Sequence, residues 1–189
     1  MLDLTIEGAT FKIPEGWEEV TLDQFNQMAE HADNLNPVRI LAILTGLNYE
    51  ELNNYDCSGF EVGVMPALGY LGDLPDFAKL ERKSELDFGG RKVPTIADPG
   101  RERIGQKLYM SSLMGSNGKT QKRIHEIAAQ IVANYYAPKL HPENKWDETH
   151  VEIIRGEVLD MPVLAVMPEV NFFLIGFGYA STSKPKPTK

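Results

Sequence analysis

Gly115-Ser116-Asn117-Gly118-Lys119-Thr120 ends as a phosphate-binding loop ends, with a glycine, a lysine and a hydroxyl. Such a loop wraps phosphate oxygens with the backbone N–H groups of a glycine-rich turn between a strand and a helix. The first glycine of that motif would stand at residue 113, which is Leu113, and the stretch before it has helical rather than strand spacing. What remains is a helix N-terminus beside Lys119 that could attract an anion, so a capped loop is expected. His125-Glu126 opens like a zinc-binding helix, but the second histidine would fall at Ala129, so two ligands cannot share one face. His31, His125, His141 and His150 are otherwise dispersed, and the spacing of His141 and His150 around Trp146 is not that of metal ligands. The single cysteine, Cys57, excludes an internal disulfide framework and a thiolate zinc site, and is compatible with a reducing compartment. No nucleophile elbow, dinucleotide-binding turn or calcium loop is present. Glu18-Glu19, Glu50-Glu51 and Asp147-Glu148 stand at expected helix starts, where acids favour the positive end of the helix dipole. The expectation is therefore no catalytic residue, no cofactor and no metal ligand.

The elements that would position any site are mostly helices. Leu2–Ile13 alternates apolar and polar residues about Glu7-Gly8 and predicts a hairpin. Thr21 with Gln24 forms a capping-box pattern that starts a helix over about 21–32. Asn36-Pro37 starts the next, with Gly46 as its C-cap, and a further turn is expected over Tyr49–Asn53. A helix is expected over about 60–71. Glu85–Pro94 predicts a second hairpin turning on Gly89-Gly90. Helices follow over Arg101–Met114, with Ile104, Leu108 and Met110 or Ser111 on one side, and over Thr120–Tyr136. Asp147 caps another to Leu159, and Pro162 or Pro168 opens the last. The fold class is α+β, mostly α-helical, with six to seven helices and two small hairpins. Residues 1–180 are expected as one compact domain, with two related halves, 1–80 and 81–180, as the alternative. Ala42, Asn48 and Tyr49 match Ala128, Asn134 and Tyr135 at an offset of 86 residues, a weak internal echo. The Ser/Lys/Pro/Thr tail, 181–189, is expected to be disordered.

The 189 residues are 42% hydrophobic and 24% charged, as in a folded soluble protein, with a net charge of −8. That sign argues against a nucleic-acid coat. It is unevenly spread. Residues 1–80 hold 14 acids and 3 bases, a net of −11, while residues 81–189 hold 13 acids and 16 bases, a net of +3. Arg101, Arg103, Lys107, Lys119, Lys122 and Arg123 form the densest basic region, with Tyr109 as its only aromatic. It is expected to be a solvated face or a docking face for an acidic partner, not a nucleic-acid groove. The apolar run Met161–Ala180 is interrupted by Pro162, Pro168, Glu169 and Asn171, so a buried helix is expected rather than a membrane span. The N-terminal MLDLTIEGATF has no basic region and no long apolar run, and is not read as a signal peptide.

The order of features carries a resemblance. A short hairpin precedes Trp17-Glu18-Glu19-Val20-Thr21-Leu22-Asp23-Gln24-Phe25, and Pro37–Gly46, Leu86–Arg91, Ile104-Gly105-Gln106 and Ile124–Ala129 follow. Val170-Asn171-Phe172-Phe173-Leu174 closes the series. This arrangement resembles small proteins of tailed-bacteriophage structural modules, of the tail-assembly-chaperone type, over most of residues 1–180. The resemblance implies a non-enzymatic assembly factor acting in the host cytoplasm, with a tape-measure or tail-tube protein as partner. It implies a hydrophobic groove for an apolar client helix, for which Ile40, Leu41, Leu44, Phe172, Phe173 and Phe177 are the candidates, with ordinary core as the competing reading. The alternative is a structural virion component (neck, ring or packaged protein) that forms a homo-oligomer through its polarised charge. An enzyme with a distributed site is the third hypothesis. Neither nucleic acid nor membrane is expected as a partner.

Overall fold

The structure, a computed structural model, describes residues 1–6, 9–54, 64–100, 102–115 and 124–178. Among them are eight α-helices and two antiparallel two-stranded sheets, so the protein is a mostly helical α+β fold. The count exceeds six to seven because two of the helices, Tyr49–Leu52 and Met65–Ala67, are single turns. The chain divides into two compact units. The first comprises Met1–Asp76 with Pro162–Leu164, and the second Phe77–Met161 with Ala165–Lys189.

In the first unit, β1 (Leu2–Ile6) pairs with β2 (Ala9–Ile13), Leu2 opposite Ile13 and Leu4 opposite Phe11. The expected turn at Glu7-Gly8 lies outside the described residues. Helix α1 (Leu22–Glu30) is capped by Thr21, whose Oγ1 accepts from Gln24 N–H while Gln24 Oε1 accepts from Thr21 N–H. Such a cap contributes about 1 kcal/mol. Helix α2 (Pro37–Thr45) starts at Asn36, whose Oδ1 accepts from Arg39 N–H at 2.9 Å. It stops at Gly46, where φ is +73° and a side chain would be strained. Asn48 caps the single turn α3 (Tyr49–Leu52). Of the helix expected over 60–71, the part before residue 64 lies outside the described residues. The rest breaks into α4 (Met65–Ala67) and a 3-10 turn, Gly69–Gly72, as glycines at 69 and 72 weaken a helix. Val163 N–H donates to Val20 C=O at 2.8 Å, and Thr21 bridges to Pro162. Ile13, Val20, Leu22, Leu41 and Leu44 are buried.

In the second unit, β3 (Glu85–Phe88) and β4 (Arg91–Pro94) meet at Gly89-Gly90, with φ of +57° and +87°. Asp87 Oδ1 accepts from Gly90 N–H and closes the turn. The alternation of β3 buries Leu86 and Phe88. Helix α6 (Ile124–Leu140) is the centre of the unit, with every residue from Ile131 to Pro138 buried. It packs against α5 (Ile104–Met114) and α7 (Glu148–Leu159). Helix α7 starts at Asp147 and buries the narrow face Val151, Ile154 and Val158. Helix α8 (Val163–Gly176) opens directly after Pro162 and carries Pro168 inside it.

Two expectations change here. Helix α5 starts at Ile104 and buries Gln106, Met110 and Met114, while Ile104 and Leu108 are exposed. Its inward side is thus set by a glutamine and two methionines, not by Ile104 and Leu108. Helix α6 does not stop at Tyr136 but runs through Pro138 to Leu140. Proline cannot donate to the carbonyl four residues back, here Asn134, and that carbonyl accepts instead from Gln106 Nε2 at 3.1 Å.

Candidate functional site

Charge meets apolar core at Glu169 in the second unit. Its carboxylate is fully buried in α8. Oε1 accepts from Arg82 Nε at 2.6 Å, and Oε2 accepts from an Arg82 terminal N–H at 2.7 Å and from the Tyr136 hydroxyl at 2.8 Å. The same Arg82 nitrogen donates to Ile96 C=O at 2.8 Å, and Ile96 N–H donates to the Tyr136 hydroxyl at 3.1 Å. The guanidinium lies 3.6 Å from the centroid of the Phe172 ring, a cation–π contact. Arg82 precedes β3 and Ile96 follows β4, so the cluster ties both ends of the hairpin to α6 and α8. Burial, then the charge of Glu169, raises the Tyr136 pKa well above the usual phenol value, against the lowering effect of the Ile96 N–H. Burial alone would lower the Arg82 pKa, but its hydrogen bond and ion pair with Glu169 outweigh this and raise it. Arg82 thus holds both carboxylate oxygens and the Tyr136 hydroxyl holds one of them, so the cluster cross-links the hairpin to α6 and α8.

A second polar network lies beside it on α5 and α6. Asn134 is buried; its Oδ1 accepts from Trp146 Nε1 at 2.8 Å and its Nδ2 donates to Gln106 C=O at 3.2 Å. Gln106 Oε1 accepts from Arg103 N–H at the helix start. The Trp146 ring rests against Gly105 so closely that a Cβ there would collide with it. Tyr109 meets Trp146 edge-on, and its hydroxyl donates to Glu152 at 2.9 Å. Burial, then that hydrogen bond, raises the Tyr109 pKa far above the ordinary phenol value.

His141 and His150, which their sequence spacing keeps apart, stand with ring centroids 5.0 Å apart at 77°. His141 Nδ1 accepts from Glu143 N–H, and His150 Nε2 is buried without a hydrogen-bond partner among the described residues. No group of three or more His, Cys, Asp or Glu that could hold a metal ion occurs among the described residues. None of the described helices is long and apolar enough to cross a membrane. Cys57 and the stretch from Ser116 to Arg123 lie outside the described residues, as do Arg101 and the tail from 181 on.

The six residues expected to line a groove fall in both units. In the first, Leu41 and Leu44 are buried and Ile40 is half-buried on α2. In the second, Phe173 is buried and Phe172 and Phe177 are half-buried. The phenylalanines are joined with Tyr135: its ring stacks on Phe173 at 4.2 Å and on Phe177 at 4.9 Å, while Phe172 meets Phe173 edge-on. Leu41, Leu44 and Phe173 therefore serve as packing of the chain itself, and Phe172 carries the Arg82 guanidinium. The apolar side chains that do reach solvent on regular elements include Ile104 at 81% and Leu108 at 66% on α5, Ile153 on α7 and Ile175 on α8. Of the alternatives Met110 or Ser111, it is Ser111 that shares the exposed side with Ile104 and Leu108, while Met110 is buried. The signal for the exposed side is the phase of Ile104 and Leu108, which differs from that of Met110 and Met114 on the same helix. Comparison with known protein families, curated proteins and solved structures yields no match.

Proposed function

We propose that this chain is a non-enzymatic assembly factor that works by binding a structural protein, of the tail-assembly-chaperone type that its feature order resembles. Its partner is a tape-measure or tail-tube protein of a tailed bacteriophage, and its place of action is the host cytoplasm. The observation that carries the reading is the exposed pair Ile104 and Leu108, one helical turn apart on α5. Paired exposed aliphatic residues at i and i+4 form the kind of anchor strip that an amphipathic client helix recognises. The test is co-expression with a tailed-bacteriophage tape-measure protein. The chain should raise client solubility and co-purify with it, and Ile104→Asp with Leu108→Asp should abolish both while far-UV circular dichroism stays unchanged. A client equally soluble with the double variant would overturn the reading.

A second reading, a homo-oligomeric virion component, is favoured by the charge division between residues 1–80 and the rest. Mass spectrometry of purified particles separates the two, because a chaperone leaves before maturation and a structural component stays.

A further inference from the structure

We propose that the exposed face of α5 docks the acidic Leu74 segment of a second copy of this chain, so that copies associate head to tail. The proposal deepens the homo-oligomer reading and rests on it.

The receiving face is cationic and apolar. Ile104 and Leu108 stand out from α5 with Lys107 exposed beside them. Arg103 precedes them, and its guanidinium binds the uncharged Asn144 C=O at 2.8 Å and Asn144 Oδ1 at 3.4 Å, so no carboxylate offsets its charge among the described residues. A face of this kind is complemented by an aliphatic side chain beside an acid. The first unit displays one. Leu74 is 67% exposed and follows the exposed Asp73. The segment is held in place: Trp17 Nε1 donates to Tyr70 C=O at 3.1 Å and to Asp73 C=O at 3.0 Å. Pro75 fixes its own φ and restricts Leu74 before it, so little freedom is lost on docking. The wider field has the same sign, since residues 1–80 carry a net of −11. The two patches differ and belong to different units, so each contact leaves one patch open on each copy. A heterologous contact of that kind continues into a ring or a filament.

The experiment is sedimentation velocity on the full chain from about 1 µM to about 1 mM at low salt, a range that brackets weak heterologous contacts. The weight-average mass should rise with concentration and fall back as salt is added. Leu74→Asp alone, or Ile104→Asp with Leu108→Asp, should weaken association by at least about tenfold, as loss of a central anchor does. Mixing the two variants restores one intact contact, because each supplies the patch that the other lacks, so the mixture should form dimers that neither forms alone. A chain monomeric throughout, association untouched by Leu74→Asp, or a mixture that stays monomeric would each overturn the proposal. A client and a second copy would compete for the same α5 face, so Leu74→Asp should leave client binding at least as strong, which separates loss of self-association from loss of client binding.

Discussion

Glu169 sits without exposed surface among Val166, Met167 and Val170, and a buried carboxylate persists only when its partners replace the water it has lost. Arg82 and Tyr136 do so with three hydrogen bonds to its two oxygens. The cost of breaking the cluster is therefore asymmetric. Arg82→Met leaves an unpaired charge inside the core, and should lower stability by about 3–5 kcal/mol. Glu169→Leu leaves Arg82 with 24% of its side chain exposed and free to turn outward, and should cost less. The double variant should be more stable than Arg82→Met alone, because no orphan charge remains. Urea unfolding of the three proteins checks the order; a near-neutral Arg82→Met would show that the ion pair with Arg82 adds little to stability. In the sequence Glu169 was legible only as an interruption of an apolar run. Its partner lies 87 residues earlier, and no local pattern of one residue can name another at that separation.

At the scale of elements, helix starts were legible because their physics is local. Thr21 with Gln24, Asn36-Pro37 and Asp147 each satisfy donors within three residues, and Gly89-Gly90 supplies the turn angles itself. What was not legible depends on distant groups. Helix α6 passes Pro138 because Gln106, 28 residues earlier, donates to the Asn134 carbonyl that the proline leaves open. Which side of α5 faces inward depends on a distant group too: Gln106 is buried for its hydrogen bonds, and it carries the helix's orientation with it. Of the candidate groove residues the structure buries Leu41, Leu44 and Phe173 and leaves Ile40, Phe172 and Phe177 half-buried, a division that apolar content alone does not mark. This account makes a double-mutant cycle informative. Gln106→Leu should cost about 1–3 kcal/mol, the range for leaving buried polar groups unpaired. In a Pro138→Ala background the cost should shrink, because the substituted alanine has a backbone N–H that can reach the Asn134 carbonyl. Equal costs in both backgrounds would mean that Gln106 acts only through Arg103 and through packing.

The molecule as a whole is divided in charge and in contacts, and the division offers a direct probe. Each unit contains one of the two tryptophans, Trp17 in the first and Trp146 in the second. Each also contains at least one tyrosine whose pKa is raised. Burial, then the charges of Glu19 and Glu18, pushes Tyr70 up to about 12. Tyr109 and Tyr136 of the second unit are raised further, burial again being the largest cause. An unfolded phenol ionises near about 10. A group whose folded pKa lies above its unfolded value contributes its full stability below the unfolded value. It loses that stability as pH climbs through the folded one. Both units should therefore weaken above about pH 10, and the second more, because among the described residues Tyr109 and Tyr136 are raised there against Tyr70 in the first. Trp17→Phe leaves Trp146 to report on the second unit, and Trp146→Phe leaves Trp17 to report on the first. Urea midpoints followed by fluorescence should fall further for the Trp146 reporter between about pH 9 and about pH 11.5. Tyr136→Phe should remove part of that extra loss, since a ring without a hydroxyl cannot ionise. A larger fall at Trp17 would reverse the assignment. It would mean that the ion pairs of the acidic first unit, not the buried phenols of the second, set the alkaline limit.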